Sequence, residues 1–325
     1  MIIIRAPFRI SLFGGGTDFK WYYSEKKTRV VSFSIDKYCY VMIRRLLPYF
    51  GFKYRAAWSL IEESNDLEGI THPSIRACIR ESSVTDGLEI HTVGDLPARS
   101  GLGSSSAFTA SMIKGLHEYS NKDITQTDLI KETIRIEQEV LNEEVGIQDQ
   151  IVVCQGGFGV TRINEDSTFS TIYMDNNDPI VDMIDKHLIL VYSGILRTSS
   201  DVQTKKLISR SNLVEKLDRL RDISYIFSDS LLKGTATTDL LTDLMISSWT
   251  EKRQTLKGTL HLEKLDAIYE LAIRSGASSG KLLGAGGGGF FAFFVPPDKQ
   301  AAFTRQMHNF VCIKANISYC GIQRL

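Results

Sequence analysis

The hydrophobic pattern changes period several times along the chain. "MIIIRA" (1–6) and "VVSFSIDKYCYVMIRRL" (30–46) are rich in β-branched and aromatic residues, which predicts strands. "GLEIHTVGDLP" (87–97) predicts another strand that ends in a turn. The period then becomes helical, with Ala107, Ala110 and Ile113 on one line and Phe108, Met112 and Leu116 on the next. A second helix is predicted from about Thr127 to Leu141. "KHLILVYSG" (186–194) reads as a buried strand that opens a second unit. Helices are predicted over much of 200–280, and "GGFFAFFVPP" (288–297) reads as a strand stopped by two prolines. Strands and helices are mixed without regular βαβ alternation, so the expected fold class is α+β.

With 325 residues the chain exceeds the usual size of one compact domain. Two units are expected, 1–180 and 181–325, divided near "NNDPIVDMIDKH". The apolar fraction is 43% and the charged fraction 23%, as in ordinary globular proteins. Lysine plus arginine total 38, and so do aspartate plus glutamate. A nucleic-acid or membrane-surface role would show a basic excess, so neither partner is expected. Any anionic ligand must then be held by local geometry. Cys39, Cys78, Cys154, Cys312 and Cys320 are widely spaced with no CxxC pair, which predicts reduced thiols. The N-terminal apolar run is too short for a signal sequence, and no stretch approaches the roughly 20 residues that span a bilayer. A cytoplasmic protein is expected.

Three glycine-rich loops stand out. In "DLPARSGLGSSSAFTAS" (95–111) a strand, Pro97, Gly101, Gly103 and three serines run into a helix. That order puts free backbone N–H groups and the positive end of a helix dipole at one concavity, an anion site. A serine-rich turn capped by Ser104 is the plainer alternative. No GxxxxGK[ST] occurs, so this is not a P-loop. "KLLGAGGGGFFAFF" contains a formal GxGxxG at Gly284, Gly286 and Gly289, but a helical segment before it and a strand after it reverse the dinucleotide-binding order. Its glycines imply close backbone packing against a ligand or another loop. "RISLFGGGTD" (9–18) ends in Thr17 and Asp18, and a tight turn capped by Asp18 explains it locally.

Two carboxylates are unusual. On a helical projection of about 100° per residue, Ile130, Ile134 and Leu141 share a direction, flanked by Leu129, Thr133, Ile136 and Val140. Glu137 falls in the middle of this apolar face. A buried carboxylate is costly unless it is paired or binds a metal, so a structural salt bridge and a metal ligand are both open. Asp149, in "GIQDQ", is locally no more than a possible cap.

Taken together, "RAPFRISLFGGGTD", "LPARSGLGSSSA" and "KLLGAGGGGF" resemble, in order, the three motifs of the GHMP small-molecule kinases. The middle one matches the family's Pro-x-x-x-Gly-Leu-Gly-Ser-Ser pattern fully. The resemblance implies an N-terminal ribosomal-S5-like domain, a C-terminal ferredoxin-like domain and an active site between them. It implies an ATP- and Mg²⁺-dependent kinase whose phosphate loop is Ser100, Gly101, Leu102, Gly103, Ser104, Ser105 and Ser106. Ser105 (or Ser104) and Glu137 match the metal ligands. Asp149 matches the galactokinase-type catalytic aspartate, and Arg9 the arginine nine residues before the sugar-binding aspartate. Asp18, with Gly15, Gly16 and Thr17, matches the sugar site, and Gly284–Gly289, including Gly286 and Gly287, the loop over phosphates and substrate.

"GGGTD", "AAWSLIEESNDLEGITHPSIRACIRE" and "YSGILRTSSDV" point within the family to kinases of the D-glycero-D-manno-heptose 7-phosphate type. Galactokinases have Gly-Glu-His-Thr-Asp at the first site, and "FKWYY" replaces the Pro-rich turn expected after the aspartate. The expected partner is thus a small sugar phosphate, and Arg197, at a strand end followed by Thr-Ser-Ser, is the candidate for its phosphate. A kinase for a neutral sugar such as fucose or galactose is the alternative. A non-catalytic sugar sensor on the same fold is disfavoured, because Arg9, Glu137 and Asp149 are all present.

Overall fold

The computed structural model describes residues 1–195, 210–256, 261–284 and 287–325. An eight-stranded sheet contains β1 (Ile2–Phe13), β2 (Thr28–Arg45), β3 (Tyr54–Ala57), β4 (Ile61–Ser64), β5 (Leu88–Gly94), β6 (Phe158–Ile163), β7 (Phe169–Tyr173) and, from the far end of the chain, Gln323–Arg324. The C-terminal pair lies beside β1, followed by β2, β5, β3 and β4, while β6 joins the free half of β2 and carries β7. A second sheet has the order β11-β8-β10-β9, from β8 (Leu188–Tyr192), β9 (Ser279–Leu282), β10 (Phe290–Phe294) and β11 (Cys312–Lys314). The mixed sheets and helices are an α+β arrangement.

β1 is twice as long as "MIIIRA" suggests. It is buried continuously from Ala6 to Phe13, so no alternation marks its second half. Its antiparallel register with β2 shifts between Pro7 and Arg9 and again between Ser11 and Phe13. Such irregularities re-aim side chains, and Arg9 lies between the two.

The helices that matter for function are α1 (Lys20–Tyr23), α2 (Pro73–Ser82), α3 (Ser104–Tyr119), α4 (Gln126–Arg135) and α5 (Gln148–Gln155); α6 (Pro179–His187) leads into β8. α3 is buried from Ser106 to Ile113 against β1 and β2, which fixes where its N-terminus points. The helix expected to run to Leu141 stops being α-helical at Arg135. Ile136–Val140 is a π turn, closed by Leu141 N–H donating to the Ile136 carbonyl at 2.9 Å. One residue is inserted in that turn, a feature common at functional sites. Before the last glycine loop the chain is not helical either, because β9 intervenes after the helix Leu262–Arg274. The loop therefore joins two antiparallel strands and opens no helix, so the dinucleotide reading fails on the observed order as well. Among the described residues no helix is long and apolar enough to cross a membrane.

Candidate active site

After β5 the chain turns through Gly101 and Gly103, both with φ in the left-handed region (+84° and +73°), conformations that glycine adopts without strain. Gly103 is the N-cap of α3 and provides no side-chain cap. Ser104 does not cap the helix. It begins it, and its Oγ accepts the Arg99 N–H at 3.1 Å. The first helical bond runs from Ala107 N–H to the Gly103 carbonyl, 2.9 Å, leaving the amides of Ser104, Ser105 and Ser106 as the orphan donors of the first turn. Ser105 is exposed at this end, whereas Ser106 is buried.

Arg9 binds this loop from below. Its backbone N–H donates to the Leu102 carbonyl at 2.9 Å and its Nη1 to the Gly101 carbonyl at 2.7 Å. The rest of the guanidinium pairs bidentately with Asp149, Nε to Oδ1 and Nη2 to Oδ2, each 2.6 Å. The Arg9 side chain is 6% exposed and that of Asp149 25%, so the carboxylate keeps an open face. Such two-pronged, charge-assisted pairs fix orientation as well as charge.

Asp18 lies nearby, at the end of the first glycine turn. Its Oδ1 accepts the Gly16 N–H at 2.9 Å and Gln148 Nε2 at 3.3 Å, and its Oδ2 accepts the Gln148 N–H at 3.1 Å. Burial, and then the neighbouring charge of Asp149, raise its pKa above the usual carboxylate range. A side chain at Gly146 would strike the Asp18 carboxylate, so glycine there is a packing requirement. The Thr17 hydroxyl is fully buried and donates to the Gly14 carbonyl at 2.8 Å, which locks the turn. Gly15 and Gly16 remain partly exposed beside it.

Glu137 is completely buried, in the π turn. Its Oε2 accepts from Ser106 Oγ (2.9 Å) and from Gln150 Nε2, and no salt bridge neutralises it among the described residues. Burial pushes its pKa up to about 8, against the pull of those two hydrogen bonds. Among the described residues its Oε1 has no partner, and neither have the buried Ser11 Oγ, Ser100 Oγ, Gln148 Oε1 and Gln150 Oε1. Orphaned buried oxygens are uncommon, and Ser100, Gln148 and Gln150 belong to, or touch, the residues of this site.

The last glycine loop lies on the first. A β-carbon on Gly284 would come within 2.5 Å of Gly101 Cα, and one on Gly289 would collide with the Ser100 carbonyl. Phe290 N–H donates to that carbonyl at 3.2 Å. The close packing implied by these glycines is thus against the other loop. Gly287 is buried with φ +127°. Arg197 and Gly286 lie outside the described residues. Sequence reasoning missed two lysines here. Lys252 donates to the carbonyls of Leu282 (2.6 Å) and Gly284, and Lys281 to that of Leu12 at 2.6 Å. Lys281 opens the quoted motif "KLLGAGGGGF", and that was the one available signal.

The model for the GHMP kinases N terminal domain matches residues 67–157 and that for the GHMP kinases C terminal matches 239–313, together about half of the chain. A D-glycero-alpha-D-manno-heptose 7-phosphate kinase of Campylobacter jejuni is 28% identical over 91% of this chain and 90% of its own. A galactokinase of Thermococcus kodakarensis is 24% identical over 94% and 92%. Among solved structures, a D-glycero-D-manno-heptose 1-phosphate kinase from Bacteroides thetaiotaomicron superposes with a TM-score of 0.78 at 20% identity, covering 100% and 99% of the two chains. The chain belongs to the GHMP kinases and is an ATP-dependent sugar kinase, a phosphotransferase with an alcohol group as acceptor.

Proposed function

We propose that this kinase phosphorylates the anomeric hydroxyl of D-glycero-D-manno-heptose 7-phosphate, giving the 1,7-bisphosphate, in the cytoplasm where ATP is supplied. The observation that carries the reading is the Arg9–Asp149 pair lying directly under Gly103 of the phosphate loop, with Asp18 beside it. A proton acceptor, a cation and a cradle for phosphate then converge on one place, which is what phosphoryl transfer requires.

In this reading Ser100–Ser106 wrap the triphosphate, with the free amides of Ser104, Ser105 and Ser106 on its oxygens. Asp18, Gly15 and Gly16 hold the sugar hydroxyls, Thr17 keeps their turn in shape, and Gly286 and Gly287 close over the substrate. Asp149 accepts the proton of the anomeric hydroxyl through its open face. The sugar oxygen forms the new bond to the γ-phosphorus as the bond to ADP breaks, and Arg9 stabilises the charge of the transferring group.

Mg²⁺ fits the same residues. The buried Oε1 of Glu137 is an unpartnered oxygen that a cation would satisfy, and Ser105 lies at the exposed start of α3, next to the Ser106 whose hydroxyl meets Glu137. Among the described residues no cluster of three or more His, Cys, Asp or Glu exists, and Mg²⁺ commonly takes one or two protein oxygens and completes its shell with phosphates and water. Ser105 and Glu137 would hold it, and the ion would neutralise the phosphate oxygens.

The test is ADP release from a panel of sugars and sugar phosphates. A preference of at least about 10²-fold in kcat/KM for the heptose 7-phosphate over the unphosphorylated heptose is expected for a paired phosphate. Arg197→Ala should erase most of it; failure of that variant alone would move only the phosphate site. The galactokinase relative favours a neutral-sugar kinase as second reading. Equal rates on the two heptoses would promote it.

A further inference from the structure

One cation at the phosphate loop has no side-chain partner among the described residues. Arg99 is exposed between the buried Leu96 and Ser100, and its φ is +59°. The left-handed conformation costs a residue with a β-carbon on the order of 1–2 kcal/mol, and such strain tends to persist at functional sites. Here the chain itself maintains it, through the Arg99 N–H donated to Ser104 Oγ at 3.1 Å. The guanidinium makes no hydrogen bond or ion pair among the described residues.

Three other cations near the loop are occupied: Arg9 by Asp149 and Gly101, Lys252 by the carbonyls of Leu282, at the end of β9, and of Gly284, and Lys281 by Leu12. The charge of Arg99 acts on His72 and on Glu143. After burial, it is the cation that holds the pKa of His72 down, and it opposes the burial that raises Glu143. His72 packs on Phe108, one turn into α3, with ring centroids 5.0 Å apart, while Glu143 follows the π turn of Glu137. With no net charge on the chain, a polyanion has no global attraction to rely on.

We propose that Arg99 is a specificity-determining residue that pairs with the non-transferring phosphates of the nucleotide. This rests on the placement of the triphosphate at Ser100–Ser106. Ser104 holds the kink that keeps the arginine over the loop, and the amides of the first helical turn stay free for the same phosphates. Its contribution should therefore scale with the number of phosphates on the ligand and should fall with added salt.

Binding of ATP, ADP and adenosine to wild type, Arg99→Gly, Arg99→Lys and Gly103→Ala, measured by calorimetry, tests it. Glycine suits the left-handed backbone, so Arg99→Gly should keep the wild-type melting temperature. It should weaken ATP and ADP by at least about 10-fold and leave adenosine unchanged, with most of the loss recovered in Arg99→Lys. ATP, ADP and adenosine all weakened equally would overturn the inference, since that is what a merely loop-shaping residue gives. ATP weakened by Gly103→Ala but not by Arg99→Gly overturns it alone. ATP unaffected by both variants would remove the triphosphate from this loop and take the inference with it.

Discussion

Gly103 rests directly against Arg9: a β-carbon built on it would stand 2.9 Å from Arg9 Cγ and 3.5 Å from Asp149 Oδ2. The phosphate loop and the carboxylate pair are in contact through a position that can hold only a hydrogen. Gly103→Ala should therefore displace Arg9 and strain a backbone at φ +73°, costing about 1–2 kcal/mol of stability and at least about 10-fold in turnover. Urea unfolding and steady-state rates on one preparation check both; a wild-type kcat would show that the pair tolerates the shift.

Asp149→Asn keeps the shape of the side chain and removes its charge. Turnover should drop by at least about 10²-fold, as for loss of a positioned base, while ATP affinity stays close to wild type. The check is a comparison of kcat with nucleotide binding. Near-normal turnover would take the proton-accepting role from this residue.

Glu137→Gln retains a group able to meet Ser106 and Gln150 but offers a cation no charge. Mg²⁺-dependent nucleotide binding should weaken, whereas binding without metal should hardly change. A purely structural Glu137 predicts the opposite pattern, a lower melting temperature with intact metal dependence. A Mg²⁺ titration and a melting scan separate the two.

Lys281 supplies a pH dependence. Burial, and then the positive charge of Arg9, push its pKa down to about 7 from 10.5, and Lys252, on the neighbouring helix Thr238–Thr255, has the same sign. Between about pH 7 and 10 the unfolded chain holds a proton that the folded chain has released. The unfolded state binds more protons in that window, so stability rises with pH, by up to about 1.4 kcal/mol per unit. Below about pH 6 both states hold the proton and the penalty is complete. In urea unfolding, Lys281→Met should exceed wild type by a constant margin below about pH 6, and by a shrinking one above. An unchanging margin up to pH 9.5 would show that Lys281 keeps its proton when folded.

Much of the site was legible locally. Glycines next to hydroxyls at a helix start announce free amides, and a helical projection puts Glu137 among apolar neighbours whatever surrounds it. That projection assumed an α-helix throughout, yet Glu137 stands in a π turn, only one residue past Ile136, where the changed period has not yet rotated it off the buried face. The second half of β1 escaped notice because a strand covered on both faces loses its alternation.

Periodicity tells which face of an element is buried, but not what covers it. Arg9 and Asp149 are 140 positions apart, and their bidentate pair exists because a register shift in β1 aims the arginine at the start of α5. The mutual packing of Gly101 and Gly284, the carbonyls that occupy Lys252 and Lys281, and the lack of a side-chain partner for Arg99 among the described residues are likewise products of long-range packing. The sequence by itself determined the chemistry available: which loops have room for phosphate and which carboxylates are out of place. Only the tertiary structure decided which of those groups meet, because such contacts depend on how two sheets and their helices close around one another rather than on any residue's neighbours in the chain.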